Sequence, residues 1–572
     1  MKKKLIVLLI ALFFIIPNVP TMKTVHAVEM DPEYATPKHG IPVLYLNIDE
    51  SKGTVDAMNK SADHSVKCYG TVDVKSPSTY KSEYTGTTFA DVTGLELEYM
   101  RGRGNSSWQQ AQKKPYKLKF KDKVDFFGMG KSKDWVLLAN ALENSFIRNR
   151  MTFWLGDQVG MQWSPQSVPV ELVVNGKYYG LYYLSEQVKI EESRLNIDKL
   201  SDTDTSGAEV TGGYIIDEID YEDSDVAGSF PTKNNMRFVI SSPDFTEKPN
   251  SAQEGYIKDY LQKTEDAIFG KDFKDSEGKS YKEYLDIQSA ADYWWIQNIS
   301  QNVDAYHNDS THLYKKRIGK LYWGPLWDFD SPCWGNLMYD ESVPTYEWMW
   351  GDCFWMQKMR EDDEFVAVLK ERWKVFDAKL AELTKSGGQI DKYYNELKTA
   401  YSYNAAKWGY YHSQVNSFEG EVKQLKNWID KRRAWISKNL DQLKAYSGKN
   451  EWINGQWYDS YGDPSYEYKG SWKSDAKGWW FEDTSGWYAK NEWQKIDGKW
   501  YYFTADGYMD YREYREGCWL GSDGAWDETY SGGHWMQDSK GWWYEDNGWY
   551  PKDQKLWIDG VEYYFDASGY WK

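Results

Sequence analysis

Alternating apolar and polar positions dominate roughly the first 200 residues and predict β-strands. Between Tyr116 and Phe120, aromatic and aliphatic residues alternate with lysines, the period of two that is typical of a half-buried strand. Residues 168–174 are largely apolar and run into Asn175-Gly176, a strong hairpin turn signal, before a second apolar run at 178–184. The pattern therefore predicts a mainly β segment that contains at least one hairpin.

The spacing of apolar residues becomes helical from about residue 252 and stays largely helical to about residue 446. Residues 361–376 and 421–443 are charged and amphipathic, as surface helices are. A mainly β part followed by a mainly α part predicts an α+β domain with two lobes.

The N-terminus has the parts of a secretory signal peptide. Lys2, Lys3 and Lys4 form a basic start, residues 5–16 form an apolar run of twelve, and residues 25–27 offer a cleavage site. The alternative is a membrane anchor, but twelve apolar residues are too few to span a bilayer as a helix. We expect residues 1–27 to be removed and the mature protein to be secreted without a transmembrane span.

Charge and cysteine content exclude two classes of protein. The formal net charge is −18, which argues against a nucleic-acid binder, because phosphate binding needs clustered positive charge. The four cysteines show no Cys-x-x-Cys spacing, which argues against a structural zinc site. Cys333 and Cys353 are candidates for a disulfide outside the cell, but the sequence leaves their pairing open.

The C-terminal region is rich in aromatic residues and repeats itself. Residues 451–572 hold 16 of the 32 tryptophans. A Gly-Trp-Trp motif at 478–480 returns at 541–543, and Ile-Asp-Gly at 496–498 returns at 558–560. Short strands joined at such turns predict stacked β-hairpins that supply one another's core. We expect an all-β hairpin solenoid over residues 471–572, with 447–470 as a linker or a degenerate repeat.

This region resembles the choline-binding-type cell-wall repeats of Gram-positive surface proteins. The matching elements are Gly-Trp-Tyr at 486–488 and 548–550, and Asp-Gly followed by aromatic residues at 497–503 and 559–565. The resemblance implies aromatic cages that bind a wall polymer, such as choline, teichoic acid or glycan, partly through cation–π contacts. The best cage candidates are Trp487, Tyr502, Trp549 and Tyr564. The alternative is that most of these rings form the core of the solenoid.

Two clusters in the first half carry possible nucleotide chemistry. Arg-Gly-Arg-Gly-Asn at 101–105 precedes the strand that holds Lys117 and Lys119 on one face. Glycines let backbone N–H groups approach a phosphate, and a lysine on a strand is able to reach it. The alternative is a solvent-facing lysine pair. Arg148 and Asn149 lie in an otherwise apolar segment, where they are either a structural pair or face a phosphate.

A third cluster is acidic. Asp304 is followed by Asn308-Asp309 and then by Asp328-Phe329-Asp330. Phosphoryl transfer needs one carboxylate near the acceptor hydroxyl and others that hold Mg²⁺ across the nucleotide phosphates. The alternative is a solvated acidic loop.

Residues from about 41 to about 440 resemble the spore-coat CotH kinase family. The resemblance rests on ordered motifs, namely Arg-Gly-Arg-Gly-Asn at 101–105, Lys-Pro-Tyr-Lys-Leu-Lys at 114–119, Ile-Arg-Asn at 147–149, Glu-Gln-Val at 186–188 with Arg194, Gly-Gly-Tyr at 212–214 and Pro-Leu-Trp-Asp-Phe-Asp at 325–330. The family has an atypical protein-kinase-like fold and transfers phosphate from ATP to protein side chains. We therefore expect a kinase domain over residues 28–446.

The resemblance also implies roles for individual residues. Asp304 would accept the proton of the acceptor hydroxyl. Mg²⁺ or Mn²⁺ would be held by Asp328, Asp330 and either Asn308 or Asp309. ATP would be contacted by Lys117 or Lys119, Arg103, Arg148, and an adenine hinge at 186–188 that includes Glu186 and Val188. Two departures from ordinary kinases are Asn-Val-Asp at 302–304 instead of His-Arg-Asp, and Asp330 instead of the glycine of Asp-Phe-Gly.

The sequence as a whole indicates a secreted CotH-type protein kinase tethered to the cell wall, with an unknown protein substrate. Two alternatives stay open. One is a catalytically inactive surface or coat-assembly protein, and the other is an adhesin that binds wall polymers or glycans.

Overall fold

The computed structural model describes residues 36–219, 226–302, 310–336, 348, 354–411, 417–445, 450–458, 464–527 and 532–572. The predicted signal peptide, Cys353 and the segment 303–309 with Asp304, Asn308 and Asp309 lie outside these residues. Their expected roles stay predictions.

The first part of the chain is mainly β, as its alternating pattern predicts. Its strands are β1 (Val43–Ile48), β2 (Lys67–Cys68), β3 (Gly70–Lys75), β4 (Val92–Gly102), β5 (Tyr116–Asp125), β6 (Lys131–Leu138), β7 (Ser167–Val174) and β8 (Lys177–Glu186). Its helices are α1 (Val55–Asn59), α2 (Ser106–Gln110) and α3 (Arg148–Gln158).

These eight strands form one sheet in the order β2-β4-β3-β1-β7-β8-β6-β5. Strand β5 also pairs with β4, which closes the row of strands on itself. All residues of β7 are buried, which is why its sequence is almost continuously apolar. The predicted hairpin between β7 and β8 is confirmed, and Asn175 and Gly176 form its turn with φ of 46° and 76°.

The next part mixes strands and helices. Its elements are β9 (Tyr214–Ile219), β10 (Phe230–Pro231), β11 (Arg237–Ser242), α4 (Ser251–Ile268), α5 (Tyr281–Tyr284), α6 (Ile287–Ser300), β12 (Thr311–Lys315), β13 (Leu321–Trp323), α7 (Phe354–Met359), α8 (Asp363–Thr384), α9 (Gln389–Trp408) and α10 (Phe418–Lys438). The helical pattern correctly located the start of α4. It did not predict the antiparallel sheet β10-β11-β9-β12-β13, to which β12 and β13 contribute from within the helical region.

The chain divides into two compact units. The first holds residues up to Asn196, Asp328–Val343 and Ala381–Asn427, and the second holds the remainder. Within the first unit, α9 packs on β8, where the Asn404 side-chain oxygen accepts a 3.1 Å hydrogen bond from the backbone N–H of Leu181. The segment 328–336 therefore belongs to the same unit as the eight-stranded sheet.

The aromatic tail consists of short hairpins. Its strands are β14 (Glu451–Ile453), β15 (Gln456–Tyr458), β16 (Pro464–Ser474), β17 (Trp479–Asp483), β18 (Glu492–Ile496), β19 (Lys499–Phe503), β20 (Tyr514–Arg515), β21 (Cys518–Trp519), β22 (His534–Asp538), β23 (Gly541–Glu545), β24 (Gln554–Ile558) and β25 (Val561–Phe565). Consecutive strands pair into hairpins, the first of which lies in the segment expected to be a linker or a degenerate repeat.

The hairpins form two equivalent sets of three. In each set the first hairpin pairs in parallel with the third, through Trp452 and Ile496 in one set and Tyr514 and Ile558 in the other. Each set buries its own cluster of side chains, Trp452, Phe481, Ile496 and Phe503 in the first and Tyr514, Tyr544, Ile558 and Phe565 in the second. The sequence repeat thus reflects a repeated core. The pattern missed the hairpin β20–β21, whose two-residue strands are too short to show a period.

None of the helices in the described part of the chain is both long enough and apolar enough to cross a membrane.

Candidate functional site

The carboxyl groups of Asp328 and Asp330 lie within hydrogen-bonding distance of each other. Asp328 is exposed and has a left-handed backbone with φ of 64°, whereas Asp330 is half-buried. Burial raises the pKa of Asp330 well above its ordinary value, and the negative charges of Asp328 and Glu143 raise it further. Three acidic side chains therefore lie close enough to influence one another here.

The backbone between these aspartates is fixed against helix α3. The Phe329 N–H donates a 2.6 Å hydrogen bond to the side-chain oxygen of Asn149, and the Trp334 ring N–H donates a 2.9 Å bond to Thr152. Cys333 is a buried free thiol that donates to the Phe329 carbonyl at 2.9 Å. The candidate disulfide between Cys333 and Cys353 stays a prediction, because Cys353 lies outside the described residues.

Arg103, in the glycine-rich loop at 101–105, lies near the two aspartates. Burial lowers the pKa of the Arg103 guanidinium, while the nearby charges of Asp328 and Asp330 raise it. The loop needs its first glycine, because a Cβ on Gly102 would lie 2.3 Å from the ring of Trp108. The first and last kinase-like motifs of the sequence thus meet in one place.

Lys117 lies on strand β5, opposite Arg101 of β4. Its ammonium pairs with Asp134 at 3.5 Å, and Asp134 also pairs with Lys189 at 2.5 Å. Burial lowers the pKa of Lys117, and its cross-strand neighbour Arg101 lowers it further, although Asp134 opposes both effects. Because Arg101 also acts on Arg103, a continuous group of cations leads from Lys117 towards the aspartates.

Lys119 differs from Lys117 in its surroundings. It pairs with Glu98 at 3.0 Å and is more exposed, with 31% of its side chain accessible against 17% for Lys117. The sequence left open which of the two lysines contacts phosphate, and these contacts favour Lys117.

Arg148 lies in a buried ion pair. Its guanidinium donates to Glu143 at 2.8 Å and to the Ser145 hydroxyl at 2.9 Å, and only 1% of the residue is exposed. Of the two readings that the sequence left open, this geometry is that of a structural pair. Glu143 also lies near Asp330, so the ion pair with Arg148 helps to position the acidic site.

Glu186 is also paired within the protein. It forms a buried ion pair with Arg194 and accepts a 2.8 Å bond from the Gln166 N–H, while burial raises its pKa to about 8. Its backbone pairs with Trp135 in the sheet. Val188 is half-buried in the segment that follows. An adenine contact at 186–188 stays a prediction, and the Glu186 carboxylate already has an internal partner.

The residues present fit a magnesium ion. Two adjacent carboxylates supply the oxygen ligands that Mg²⁺ prefers, and a cation would stabilise the charged form of Asp330, which burial and the charges of Asp328 and Glu143 disfavour. The described part of the chain contains no group of three or more His, Cys, Asp or Glu side chains suited to a metal ion. Asp328 and Asp330 are thus two of the predicted ligands, and Asn308 and Asp309 lie outside the described residues.

The four predicted cage residues of the tail fall into two groups. Trp487, Trp549 and Tyr564 are 43%, 46% and 42% exposed, as residues that contact a ligand need to be. Tyr502 is only 8% exposed, donates to Asn491 at 2.8 Å and lies 4.8 Å from the Arg515 guanidinium. Although Tyr502 and Tyr564 are equivalent in the repeat, the hairpin that follows covers only Tyr502.

A cleft of about 770 Å³ in the second set of hairpins contains Trp549. Trp519 and Trp557 line it as well, together with Arg512 and Lys555. The sequence did not identify Trp519 or Arg512 as candidates. Trp519 lies in the hairpin β20–β21, which the sequence pattern missed, and Arg512 lies just before it. The cleft combines flat aromatic rings with two cationic side chains and the carboxylate of Asp546.

Comparison with known proteins gives two family matches. The family described as CotH kinase protein matches residues 100–436, and a cell wall binding repeat of the choline-binding type matches residues 491–509. No curated protein matches the chain.

Several solved structures resemble parts of the chain. The modular autolysin LytC from Streptococcus pneumoniae is 28% identical over 22% of this chain and 28% of its own, with a TM-score of 0.11. The modular Cpl-1 endolysin is 32% identical over 18% of this chain and 24% of its own, with a TM-score of 0.08. Choline binding protein F from Streptococcus pneumoniae is 25% identical over 20% of this chain and 38% of its own, with a TM-score of 0.11.

These similarities cover different shares of the chain. The chain spans well under half the length of each of these structures. The CotH match, in contrast, covers more than half of the 572 residues and includes Arg103, Lys117, Asp328 and Asp330. The chain therefore belongs to the CotH kinase protein family.

Proposed function

We propose that the protein is an atypical protein kinase with a two-lobed kinase-like fold, which transfers the γ-phosphate of ATP to hydroxyl side chains of proteins. The observation that carries the proposal is the position of Arg103 beside Asp328 and Asp330. Phosphoryl transfer depends on cations that bind phosphate next to carboxylates that bind metal, and these residues supply that combination.

Each residue of this group has a role in the proposed reaction. Lys117, held by Asp134, binds the nucleotide phosphates together with Arg103. Asp328 and Asp330 hold the metal ion, and Asp304 accepts the proton of the acceptor hydroxyl. When bound, Mg²⁺–ATP supplies the phosphoryl group and the positive charge that offsets the two carboxylates.

We propose that the tail is a hairpin solenoid that tethers the secreted enzyme to the cell wall. The half-exposed rings of Trp487 and Trp549, and the cleft that contains Trp549, support this role. Large exposed aromatic faces on a folded protein usually mark a binding surface. The proposed ligand is a component of the cell wall, namely teichoic acid, choline or glycan.

Transfer of labelled phosphate tests the enzymatic proposal. The chain from residue 28 onwards is incubated with γ-labelled ATP and Mg²⁺ or Mn²⁺, alone and with added protein. We expect incorporation by the wild type, loss in Asp304→Ala and Asp328→Ala, and no loss in Asp202→Ala, which removes an exposed aspartate elsewhere. Absence of incorporation by the wild type would favour an inactive surface or coat-assembly protein.

A further inference from the structure

A second pocket, of about 320 Å³, lies in the first unit next to the proposed active site. Three segments form it: residues 110–113 at the end of α2, residues 140–146 before α3, and the end of α9 with the residues that follow it. Its walls are rich in carboxamides and aromatic rings, among them Gln112, Asn140, Trp408 and Tyr410.

Asn140 lines this pocket and has an unsatisfied hydrogen-bond acceptor. The residue is only 4% exposed, and its side-chain N–H donates to Glu143 at 3.0 Å. Its side-chain oxygen is buried and has no hydrogen-bond partner among the described residues. A buried acceptor without a donor costs about 1–3 kcal/mol. In contrast, the neighbouring Asn144 is satisfied, because it exchanges two hydrogen bonds with the backbone of Tyr411 at 2.6 and 2.7 Å.

The wall that carries Asn140 is connected to the metal site. The Asn336 side chain donates to the Leu142 carbonyl at 3.0 Å and to the Asp330 carbonyl at 3.1 Å. Glu143, in the same wall, is one of the charges that raise the pKa of Asp330. One short loop therefore lines the pocket and is linked to the Asp-Phe-Asp segment through the Asn336 side chain.

Charge in the pocket favours a neutral occupant. Among the lining residues, Lys113 and Glu143 carry opposite charges. The Lys113 ammonium already donates to the carbonyls of Ala139 and Leu181, with the first bond at 2.8 Å, and lies 4.6 Å from the ring centre of Phe146. The Glu143 carboxylate is neutralised by Arg148. An additional buried charge would have no partner here, whereas an N–H donor would satisfy Asn140.

We propose that this pocket binds a carboxamide side chain, Asn or Gln, of the acceptor polypeptide, close in sequence to the hydroxyl that is phosphorylated. The proposal rests on the proposed kinase function, because the pocket wall is linked to Asp330 through Asn336 and the charge of Glu143. The carboxamide N–H donates to the Asn140 oxygen, and its flat face lies against the aromatic wall. The pocket thus contributes to the selection of the substrate.

Labelled peptides with one central serine test this proposal. At each flanking position in turn they carry Gln, Leu, Lys or Glu. Their binding to the chain from residue 28 onwards is measured by fluorescence anisotropy without ATP, and their phosphorylation is measured with Mg²⁺–ATP. We expect Gln at one position to bind about tenfold more tightly than Leu, as expected for one buried hydrogen bond.

Two variants and one control locate the effect. Asn140→Gly removes the oxygen but suits the left-handed backbone, for which φ is 43°, and Ala141→Phe fills the pocket without changing Asn140. Both should reduce the preference for Gln to less than about twofold. Asn235→Gly, at an exposed left-handed position, should leave it unchanged.

The two readouts separate the pocket from the reaction. A Gln preference in binding that both variants abolish supports the pocket, even if no peptide is phosphorylated, and that absence would contradict only the kinase. Equal affinity for all peptides, a preference for Lys or Glu, or a Gln preference that survives in both variants overturns the proposal, whether or not phosphate is transferred.

Discussion

The side-chain oxygen of Asn149 accepts a 2.6 Å hydrogen bond from the backbone N–H of Phe329. Both residues are buried, and each belongs to a motif that the sequence analysis identified separately. The bond joins helix α3 to the segment that carries Asp328 and Asp330. An asparagine that looks out of place in an apolar helix is therefore explained by a backbone group it satisfies.

Replacement of Asn149 tests how strongly this bond positions the aspartates. Asn149→Ala leaves the buried Phe329 N–H without an acceptor, and we expect a loss of about 1–3 kcal/mol in unfolding free energy. We also expect phosphotransfer to fall at least tenfold, because the metal ligands on either side of Phe329 would lose their fixed position. Denaturant unfolding and labelled ATP measure the two effects. Asn395→Ala, an exposed amide on α9, is the control, and equal activity of both variants would contradict the positioning role.

Asp330 should make the protein less stable as the pH rises. Its raised pKa means that the folded chain keeps a proton that the unfolded chain releases above about pH 4, the ordinary value for aspartate. The free energy of unfolding therefore decreases as the pH rises from that value to the raised pKa. Asp330→Asn removes this effect, so its melting temperature should exceed that of the wild type by about 2–4 °C at pH 7 without divalent cations.

Calorimetry without divalent cations measures this difference from pH 4 to pH 7. We expect the gap between variant and wild type to widen with pH, and Asp202→Asn to follow the wild type. Added Mg²⁺ should stabilise the wild type but not Asp330→Asn. Parallel loss of stability in wild type and Asp330→Asn would show that the pKa of Asp330 is not raised in the folded protein.

Replacement of Lys117 and replacement of Lys119 should have different effects on the KM for ATP. Lys117 is the more buried and pairs with Asp134 in the proposed phosphate site, whereas Lys119 pairs with Glu98. We expect Lys117→Met to raise the KM for ATP about tenfold or more, and Lys119→Met to change it less than about twofold. Initial rates at varied ATP concentration give both values. A larger effect at Lys119 would reverse the assignment.

Exposed and buried aromatics of the tail should separate binding from stability. Trp549→Ala should weaken retention on cell walls with little effect on melting, because Trp549 is 46% exposed in the cleft. Tyr502→Ala should destabilise the tail by about 2–4 kcal/mol, because only 8% of the residue is exposed.

Pelleting with purified walls, with and without choline, measures the retention. Tyr511→Ala is the matched control, since Tyr511 is 56% exposed and does not line the cleft. If Trp549→Ala and Tyr511→Ala bind walls equally well, the cleft is not the binding site.

The parts of the fold that depend on local pattern could be predicted from the sequence. The hairpin at Asn175-Gly176 and the repeated hairpins of the tail follow from turn residues and strand periods. The parts that depend on tertiary packing could not. A period of two does not reveal that a later hairpin covers Tyr502 but leaves its equivalent Tyr564 exposed.

The same limit applies to the candidate site. The sequence identified Arg103, Lys117, Asp328 and Asp330 by residue type and motif order. It could not show which of them lie close together, because this depends on the packing of distant segments. It could not choose between Lys117 and Lys119, because both lie on the same face of β5 and differ only in their cross-strand neighbours. It also left the partner of Arg148 open, since the ion pair with Glu143 forms through a loop of irregular backbone.

Calorimetric titration of Mg²⁺–ATP into the chain from residue 28 onwards tests the central claim most directly, because it needs no protein substrate. If Arg103, Lys117, Asp328 and Asp330 form one nucleotide and metal site, the wild type binds ATP at micromolar to low millimolar concentration, binds it at least about tenfold more weakly without Mg²⁺, and loses most affinity in Asp328→Asn. Failure of the wild type to bind ATP, or binding that is equally strong without Mg²⁺ and in Asp328→Asn, would contradict it.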